Sequence, residues 1–172
     1  MFDKRVRDEL DNKKTIKIFR LQRDTRFSKG KDPYKLNFGG SISAGGMDDQ
    51  NPGYYLHIEP GNCFIAGGLY MPAKEKLAAI RDTMLADPKK IRKILADKNL
   101  QTLFGGLSTD GDLKTAPRGY DKEDPNVDLL HHKHFILYKT LKDSEVFKPD
   151  FIKVALDAYK TMAPLNDYLA KA

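Results

Sequence analysis

The sequence predicts an α+β domain in which a mostly antiparallel sheet is covered by helices. Residues 15–70 alternate apolar and polar side chains between Gly and Pro turns, as a meander of about four consecutive strands does. Residues 72–106 and 150–170 instead repeat apolar side chains at helical spacing. At 172 residues the chain has the size of one domain, so we expect a single core and assign 1–172 to it.

The composition predicts a cytoplasmic globular protein. Hydrophobic residues make up 40% and charged residues 31%, which is ordinary for a folded domain. No apolar run is long enough to span a bilayer, and residues 1–14 are too charged for a secretory signal, so we expect no membrane partner. We expect 1–14 to be poorly ordered. The single Cys63 lies in an apolar run and is predicted to be a buried thiol.

The first predicted strand covers residues 15–23. Ile16 and Ile18 alternate on one face, whereas Phe19 and Leu21 alternate on the other. Apolar side chains on both faces indicate an interior strand that is covered on both sides.

The next two predicted strands have one apolar face and one polar face. Leu36, Phe38 and Ile42 share a face in the first, and the second turns Tyr54, Leu56 and Ile58 inward. The polar face would then carry Asn37, Gly39, Ser41, Ser43, Tyr55, His57 and Glu59. In the following strand, CFIAGGLY, the adjacent Gly67 and Gly68 predict a close approach of another segment.

Helices are predicted after Pro72, then from the cap Asp87, and then up to Gly105, which ends a short third helix. Residues 108–141 should form a long surface loop followed by one later strand around 135–138. A C-terminal helix follows over 150–170, and Pro164 predicts a kink or restart within it.

The net charge is concentrated at the start of the chain. The first 35 residues hold 12 Lys or Arg and 6 Asp or Glu, whereas the remainder holds 18 of each, so the whole net charge of +6 arises here. Arginine and lysine in a polar loop can clamp phosphate or carboxylate groups, and aromatic residues among them can stack on a ring. The predicted ligand-binding residues are Arg20, Arg23, Arg26, Lys29, Lys31, Tyr34, Lys35 and Tyr55.

His57 and Glu59 are the candidate catalytic pair. Residues two apart on a strand project from the same side, and a carboxylate beside an imidazole supports general acid–base chemistry. Such pairs also occur on plain solvated sheets. The cluster His131, His132 and His134 has no second group of ligands, so we predict no metal site and no cofactor.

Five motifs, taken in order, resemble a known family. They are FRLQRDTRFSKGKDPYK, GYYLHIEPGNCFIAGGLYMP, LFGGL, PRGYDKEDP and PLNDYL, and they are similar to the bacterial and fungal family catalogued as domain of unknown function 2461. The similarity covers about Thr15 to Leu169 and implies an α+β globular domain without an assigned activity.

The sequence also departs from that family. Its members usually carry additional helical sequence with tryptophan before the point corresponding to Met1, and no Trp is present here. The comparison implies that one face of the strand carrying Ile16 and Phe19 lacks its usual cover. We therefore expect self-association through this face or partial instability of the fold.

Three functions remain open. The first is a domain that binds an anionic ligand, either a phosphate-bearing metabolite or nucleic acid, through the basic loop and the polar sheet face. The second is an enzyme in which His57 acts as general acid or base on a charged substrate. The third is a structural or interaction module whose cations make only surface ion pairs.

Overall fold

The computed structural model describes residues 16–22, 34–44 and 50–172, and within these ranges the chain forms a five-stranded antiparallel sheet. The strands lie in the order β1-β2-β3-β4-β5, which is also their order along the chain. They are β1 (Ile16–Ile18), β2 (Phe38–Ser43), β3 (Gly53–Ile58), β4 (Cys63–Leu69) and β5 (Phe135–Leu141). The predicted α+β class is confirmed, and four strands plus one later strand is the observed arrangement.

Six helices accompany the sheet in the described ranges. They are α1 (Lys74–Ala86), α2 (Pro88–Leu95), α3 (Lys98–Phe104), α4 (Val127–Leu130), α5 (Asp143–Val146) and α6 (Phe151–Lys171). The four-residue α4 and α5 are too short to produce a helical pattern in the sequence. No helix in these ranges combines the length and apolarity needed to cross a membrane.

The helix boundaries follow local chemistry. The Asp87 side chain caps α2 by accepting a hydrogen bond from Lys90 N, and Gly105 ends α3 in the left-handed conformation at φ +71°, both as predicted. The expected restart at Pro164 is wrong, because α6 is one helix that contains this proline. Packing against the sheet holds the helix together where the proline removes a backbone donor.

The core lies between α6 and one face of the sheet. Ile65 of β4, Leu137 of β5 and Met162 of α6 are fully buried there, and Tyr54 of β3 packs against them. Asn166 adds a polar contact by donating from Nδ2 to the Gly53 carbonyl at 3.2 Å. The opposite face of the sheet is therefore left to carry the site.

Gly67 and Gly68 mark the predicted close approach, which is confirmed. A side chain on Gly67 would run into the Met162 sulfur, and one on Gly68 would run into the Phe135 carbonyl. Gly68 also has φ +127°, which side-chain-bearing residues rarely adopt. These two glycines let α6 and β5 lie directly against β4.

The prediction that the first strand is covered on both faces is wrong. The strand has only three residues, and Ile16 and Ile18 are 44% and 64% exposed. They share a face with Phe38, which is 45% exposed. The cause is the position of β1 in the described sheet, three strands away from β4, over which α6 packs.

Candidate functional site

The polar sheet face is centred on His57, which lies in β3 on the side away from the core. The antiparallel register places His57 between Gly39 of β2 and Phe64 of β4. Only 7% of His57 is exposed, although its side chain belongs to the face predicted to be polar. A buried imidazole needs partners, and its neighbours on this face provide them.

Both ring nitrogens of His57 are bound. Nε2 lies 3.2 Å from Glu59 Oε2, and Nδ1 lies 3.1 Å from the Tyr55 hydroxyl. An ionised carboxylate only accepts, so Nε2 carries a proton, and in the neutral ring Nδ1 accepts from the Tyr55 O–H. The result is a hydrogen-bond chain from Tyr55 through His57 to Glu59.

Two further side chains pack against the imidazole. Phe64 stacks on it with ring centroids 4.6 Å apart and an interplanar angle of 12°. The Asn37 amide nitrogen lies 3.5 Å from Nδ1 and 3.4 Å from Nε2. Because these distances are nearly equal, the Asn37 amide lies against the ring and does not form a directed hydrogen bond to either ring nitrogen. The orientation of His57 is therefore set by four neighbours.

A tight turn positions Glu59. The turn residues are Pro60 and Gly61, Gly61 has φ +76°, and Asn62 N donates to the Glu59 carbonyl at 2.8 Å. The Asn62 side chain also donates to Glu59 Oε2 at 2.8 Å. The carboxylate oxygen that holds His57 is thus fixed from the far side of the turn.

Gly39 makes room for Tyr55. A side chain at residue 39 would begin 2.6 Å from the Tyr55 hydroxyl oxygen, so only glycine lets that oxygen lie across β2. Burial raises the pKa of Tyr55 above its ordinary value, which keeps the hydroxyl protonated. Tyr55 is therefore a hydrogen-bond donor on this face and not a base.

Four aromatic side chains extend this site across the sheet, and we call them the aromatic row. Consecutive ring centroids are 5.9, 5.6 and 4.8 Å apart, distances at which aromatic rings attract one another. The members are, in order from β1 to β5, Phe19, Tyr55, Phe64 and Tyr138. Such a row offers a surface for a planar ring, next to the buried His57.

A match to one protein family extends over nearly the whole sequence. A family model described as conserved hypothetical protein (DUF2461) matches residues 1–168. The chain belongs to this family. No curated protein and no solved structure matches it. The description of the DUF2461 family names no reaction, so membership assigns no activity to this chain.

The structure brings together only part of the predicted site of this DUF2461 protein. Tyr55, His57 and Glu59 are in contact, whereas Arg20, Tyr34 and Lys35 are exposed near the start of the sheet. Four predicted ligand-binding residues lie outside the described ranges: Arg23, Arg26, Lys29 and Lys31. Convergence of the basic side chains on the sheet face stays a prediction.

Phe64 and Tyr138 were missed by the sequence reasoning, although a signal for Phe64 was present. Pro-Gly in the sequence EPGN is typical of a two-residue turn, and such a turn pairs residue 57 with residue 64. Reading that register would have placed Phe64 beside His57. Tyr138 has no comparable signal, because the long connection from β4 to β5 fixes no register.

Two of the three clustered histidines contact different parts of the chain. The Met71 N–H donates to His134 Nδ1 at 3.1 Å, whereas His132 Nδ1 lies 2.9 Å from Asp112 Oδ2. His132 Nδ1 forms no hydrogen bond, so its contact with Asp112 is an ion-pair distance only. In the described part of the chain, no three His, Cys, Asp or Glu side chains are grouped to hold a metal.

A second buried polar group, Arg81, was also missed. It is 7% exposed and donates from one terminal nitrogen to the His132 carbonyl at 3.1 Å. Burial lowers its pKa, and the neighbouring Tyr120 opposes that change. Arg81 thus ties α1 to the segment preceding β5 and serves the fold, away from the aromatic row.

Proposed function

We propose that this protein binds a small anionic ligand that contains a planar ring, such as a nucleotide, on the aromatic row. The ring would lie against Phe64 and its neighbours, and the anionic group would point toward β1. The observation that carries this proposal is the continuous row of rings beside an ordered, hydrogen-bonded imidazole. Stacking on aromatic side chains accepts any planar ring, because each ring has a π face.

Positive charge at the β1 end supports the orientation of the ligand. Lys17 Nζ lies 5.9 Å from the centre of the Phe19 ring, at the start of the aromatic row. Gln22 pairs with Tyr34, so the basic segment 23–33 leaves and rejoins the described structure at this end of the sheet. An anion bound next to Phe19 would be close to Lys17.

Titration with adenosine monophosphate tests the proposal. We expect binding by calorimetry, weaker binding of adenosine and of inorganic phosphate, and a loss of about tenfold or more in Phe64→Ala, since stacking contributes about 1–3 kcal/mol. Phe147→Ala is the matched control, because Phe147 is 86% exposed and lies outside the row. Absence of binding, or equal affinities in the two variants, would contradict the proposal.

The same protein should be titrated with a single-stranded oligonucleotide at two salt concentrations. A nucleic-acid ligand would bind with an affinity that falls steeply as salt rises, because each phosphate contact releases counterions. We expect adenosine monophosphate to bind about as tightly as the oligonucleotide does. A much tighter oligonucleotide complex with a steep salt slope would replace the small-ligand proposal with nucleic-acid binding.

An enzyme is the second candidate, and the Tyr55–His57–Glu59 chain is the observation that favours it. Because both nitrogens of His57 are bound, a substrate proton would pass through the Tyr55 hydroxyl. The Tyr55 oxygen accepts it as the Tyr55 proton moves to His57 Nδ1, so neutral His57 is the base. Glu59 would hold the imidazole and stabilise its positive charge. The arrangement thus assigns acid–base exchange to His57 and substrate contact to Tyr55.

Turnover of p-nitrophenyl phosphate and p-nitrophenyl acetate tests this second candidate. We expect a bell-shaped pH profile that disappears in His57→Ala and in Tyr55→Phe, whereas His131→Ala, a histidine outside the site, keeps it. Glu59→Gln should lower kcat more than it changes KM, because it holds the imidazole and does not contact substrate. No turnover with either probe would count against catalysis and leave the binding proposal intact.

A further inference from the structure

An open recess of about 630 Å³ lies beside Tyr138, at the β5 end of the aromatic row. It is formed by that ring, the end of α3 and the backbone from Gly106 to Gly111. Its volume falls in the range of about 300–1,000 Å³ typical of ligand sites. None of its described lining residues is Lys or Arg. The recess is therefore distinct in chemistry from the basic end of the sheet.

The loop that forms the recess is held in place by backbone hydrogen bonds. Ser108 N donates to the Ile136 carbonyl at 2.8 Å, Asp112 N to the Thr109 carbonyl at 3.1 Å, and Leu113 N to the His131 carbonyl at 2.9 Å. The first and third bonds tie the loop to β5 and to the segment before it, and the second closes a turn within the loop. The recess is accordingly formed in the free protein and needs no folding on binding.

The polar groups of the recess suit hydroxyl groups. The Ser108 hydroxyl accepts from Asp110 N at 3.3 Å, so its own proton remains available to a ligand. The exposed Asp110 carboxylate accepts, and the Thr109 hydroxyl does either. Tyr138, 41% exposed, adds a flat apolar surface. These donors, acceptors and the ring face together complement the hydroxyl groups and the ring of a sugar.

His134 adds a donor next to the recess. Because Met71 N–H donates to Nδ1, the neutral His134 ring carries its proton on Nε2. A side chain at residue 111 would begin 3.8 Å from that Nε2, and Gly111 has none. The Nε2–H of His134 therefore lies beside the lining residue Gly111.

We propose that this recess binds a neutral polyhydroxylated group, namely a sugar ring stacked on Tyr138. Asp110 accepts from two of its hydroxyls, and Ser108 and His134 donate to its oxygens. A free phosphate is disfavoured, since the described lining offers it a carboxylate and no cation. The recess shares the Tyr138 ring with the aromatic row, but Asp110 and the loop lie outside that row, so binding at the two sites can be measured separately.

Amide NMR during titration with glucose, N-acetylglucosamine and maltotriose tests the proposal. We expect at least one of them to shift the resonances of residues 106–111, and Asp110→Ala and Tyr138→Ala to weaken that binding about tenfold or more. Phe147→Ala should leave it nearly unchanged. The Asp110 variant separates this site from the nucleotide site, since it should weaken sugar binding and leave adenosine monophosphate binding unaltered.

The outcomes are distinguishable. Shifts at residues 106–111 caused by inorganic phosphate, but by none of the sugars, would overturn the proposal, as would sugar binding that Asp110→Ala leaves unaltered. If a sugar binds and adenosine monophosphate does not, only the function proposed above is contradicted. The circular dichroism spectrum of each variant confirms that it remains folded.

Discussion

At the scale of single residues, the contact between Gly39 and Tyr55 makes the sharpest prediction. A methyl group on residue 39 would lie 2.6 Å from the Tyr55 hydroxyl oxygen and 3.3 Å from the ring carbon that carries it. Gly39→Ala should therefore lower the free energy of unfolding by about 1–3 kcal/mol, as overpacking does. Urea unfolding of the variant and of the native sequence measures this loss.

The double variant tells which atom is responsible. Tyr55→Phe alone should cost about 0.5–1.5 kcal/mol, because it removes the hydrogen bond to His57. In that background Gly39→Ala should cost clearly less, since the clashing oxygen is absent. If the two losses of unfolding free energy were additive, the clash would be with the backbone or the ring. Glycine at residue 39 would then not be explained by the position of the Tyr55 hydroxyl.

At the scale of elements, the cap of α2 is the simplest prediction. The Asp87 side chain accepts from Lys90 N at 3.2 Å and Pro88 follows it. Asp87→Ala should cost about 1 kcal/mol of stability, whereas Asp87→Asn retains an accepting oxygen and should cost only a few tenths. Thermal unfolding compares the two. Equal losses in both variants would indicate that charge, and not the capping bond, is the source of the stabilisation.

The elements were predictable where a local cause sets them. Asp87 with Pro88 begins α2, Gly105 ends α3, and the alternation of β3 separates Tyr54 from Tyr55. The contacts that build the site depend on distant pairings instead. Tyr138 meets Phe64 only because β5 returns beside β4 after a connection of more than sixty residues, and alternation along one strand cannot reveal its neighbour. The same limit explains why the exposure of β1 was predicted wrongly.

At the scale of the whole molecule, buried tyrosines make stability depend on alkaline pH. Burial raises the pKa of Tyr159, in the core beside Tyr54, well above its ordinary value of 10.0. The unfolded chain ionises this group first, so the stability it contributes is present below about pH 10 and is lost as the pH rises toward the folded pKa. The loss attributable to Tyr159 is at most about 1.4 kcal/mol per pH unit.

Urea unfolding at about pH 8 and about pH 11 measures this dependence. Tyr159→Phe should reduce the loss between the two, without abolishing it, because burial also raises the pKa of Tyr168. Tyr70→Phe is the control, since Tyr70 is 69% exposed. If the control reduced the loss as much as Tyr159→Phe does, burial would not be the cause.

The apolar face at the β1 end bears on how the whole molecule assembles, and we propose that a second copy of the chain covers it. The described residues on this side of β1 and β2 are all apolar or glycine: Ile16, Ile18, Phe38, Gly40 and Ile42. An uncharged face needs no complementary charges in its partner, so the same face of another molecule fits it. Burial of these side chains against each other would then stabilise a dimer by about 25 cal/mol for each Å² of apolar surface removed from water, before the cost of association.

Sedimentation velocity over a range of protein concentrations tests this assembly. We expect the native sequence to sediment increasingly as a dimer as concentration rises, and Ile18→Asp to remain a monomer because it places a charge within the face. Ile18 is 64% exposed, so the change should alter the stability of one molecule by only about 0.5 kcal/mol. Ile152→Asp, at a position 71% exposed on α6, controls for adding a charge and should leave association unchanged. A native protein that stays monomeric at the highest concentration would mean that the face is not covered by a second copy.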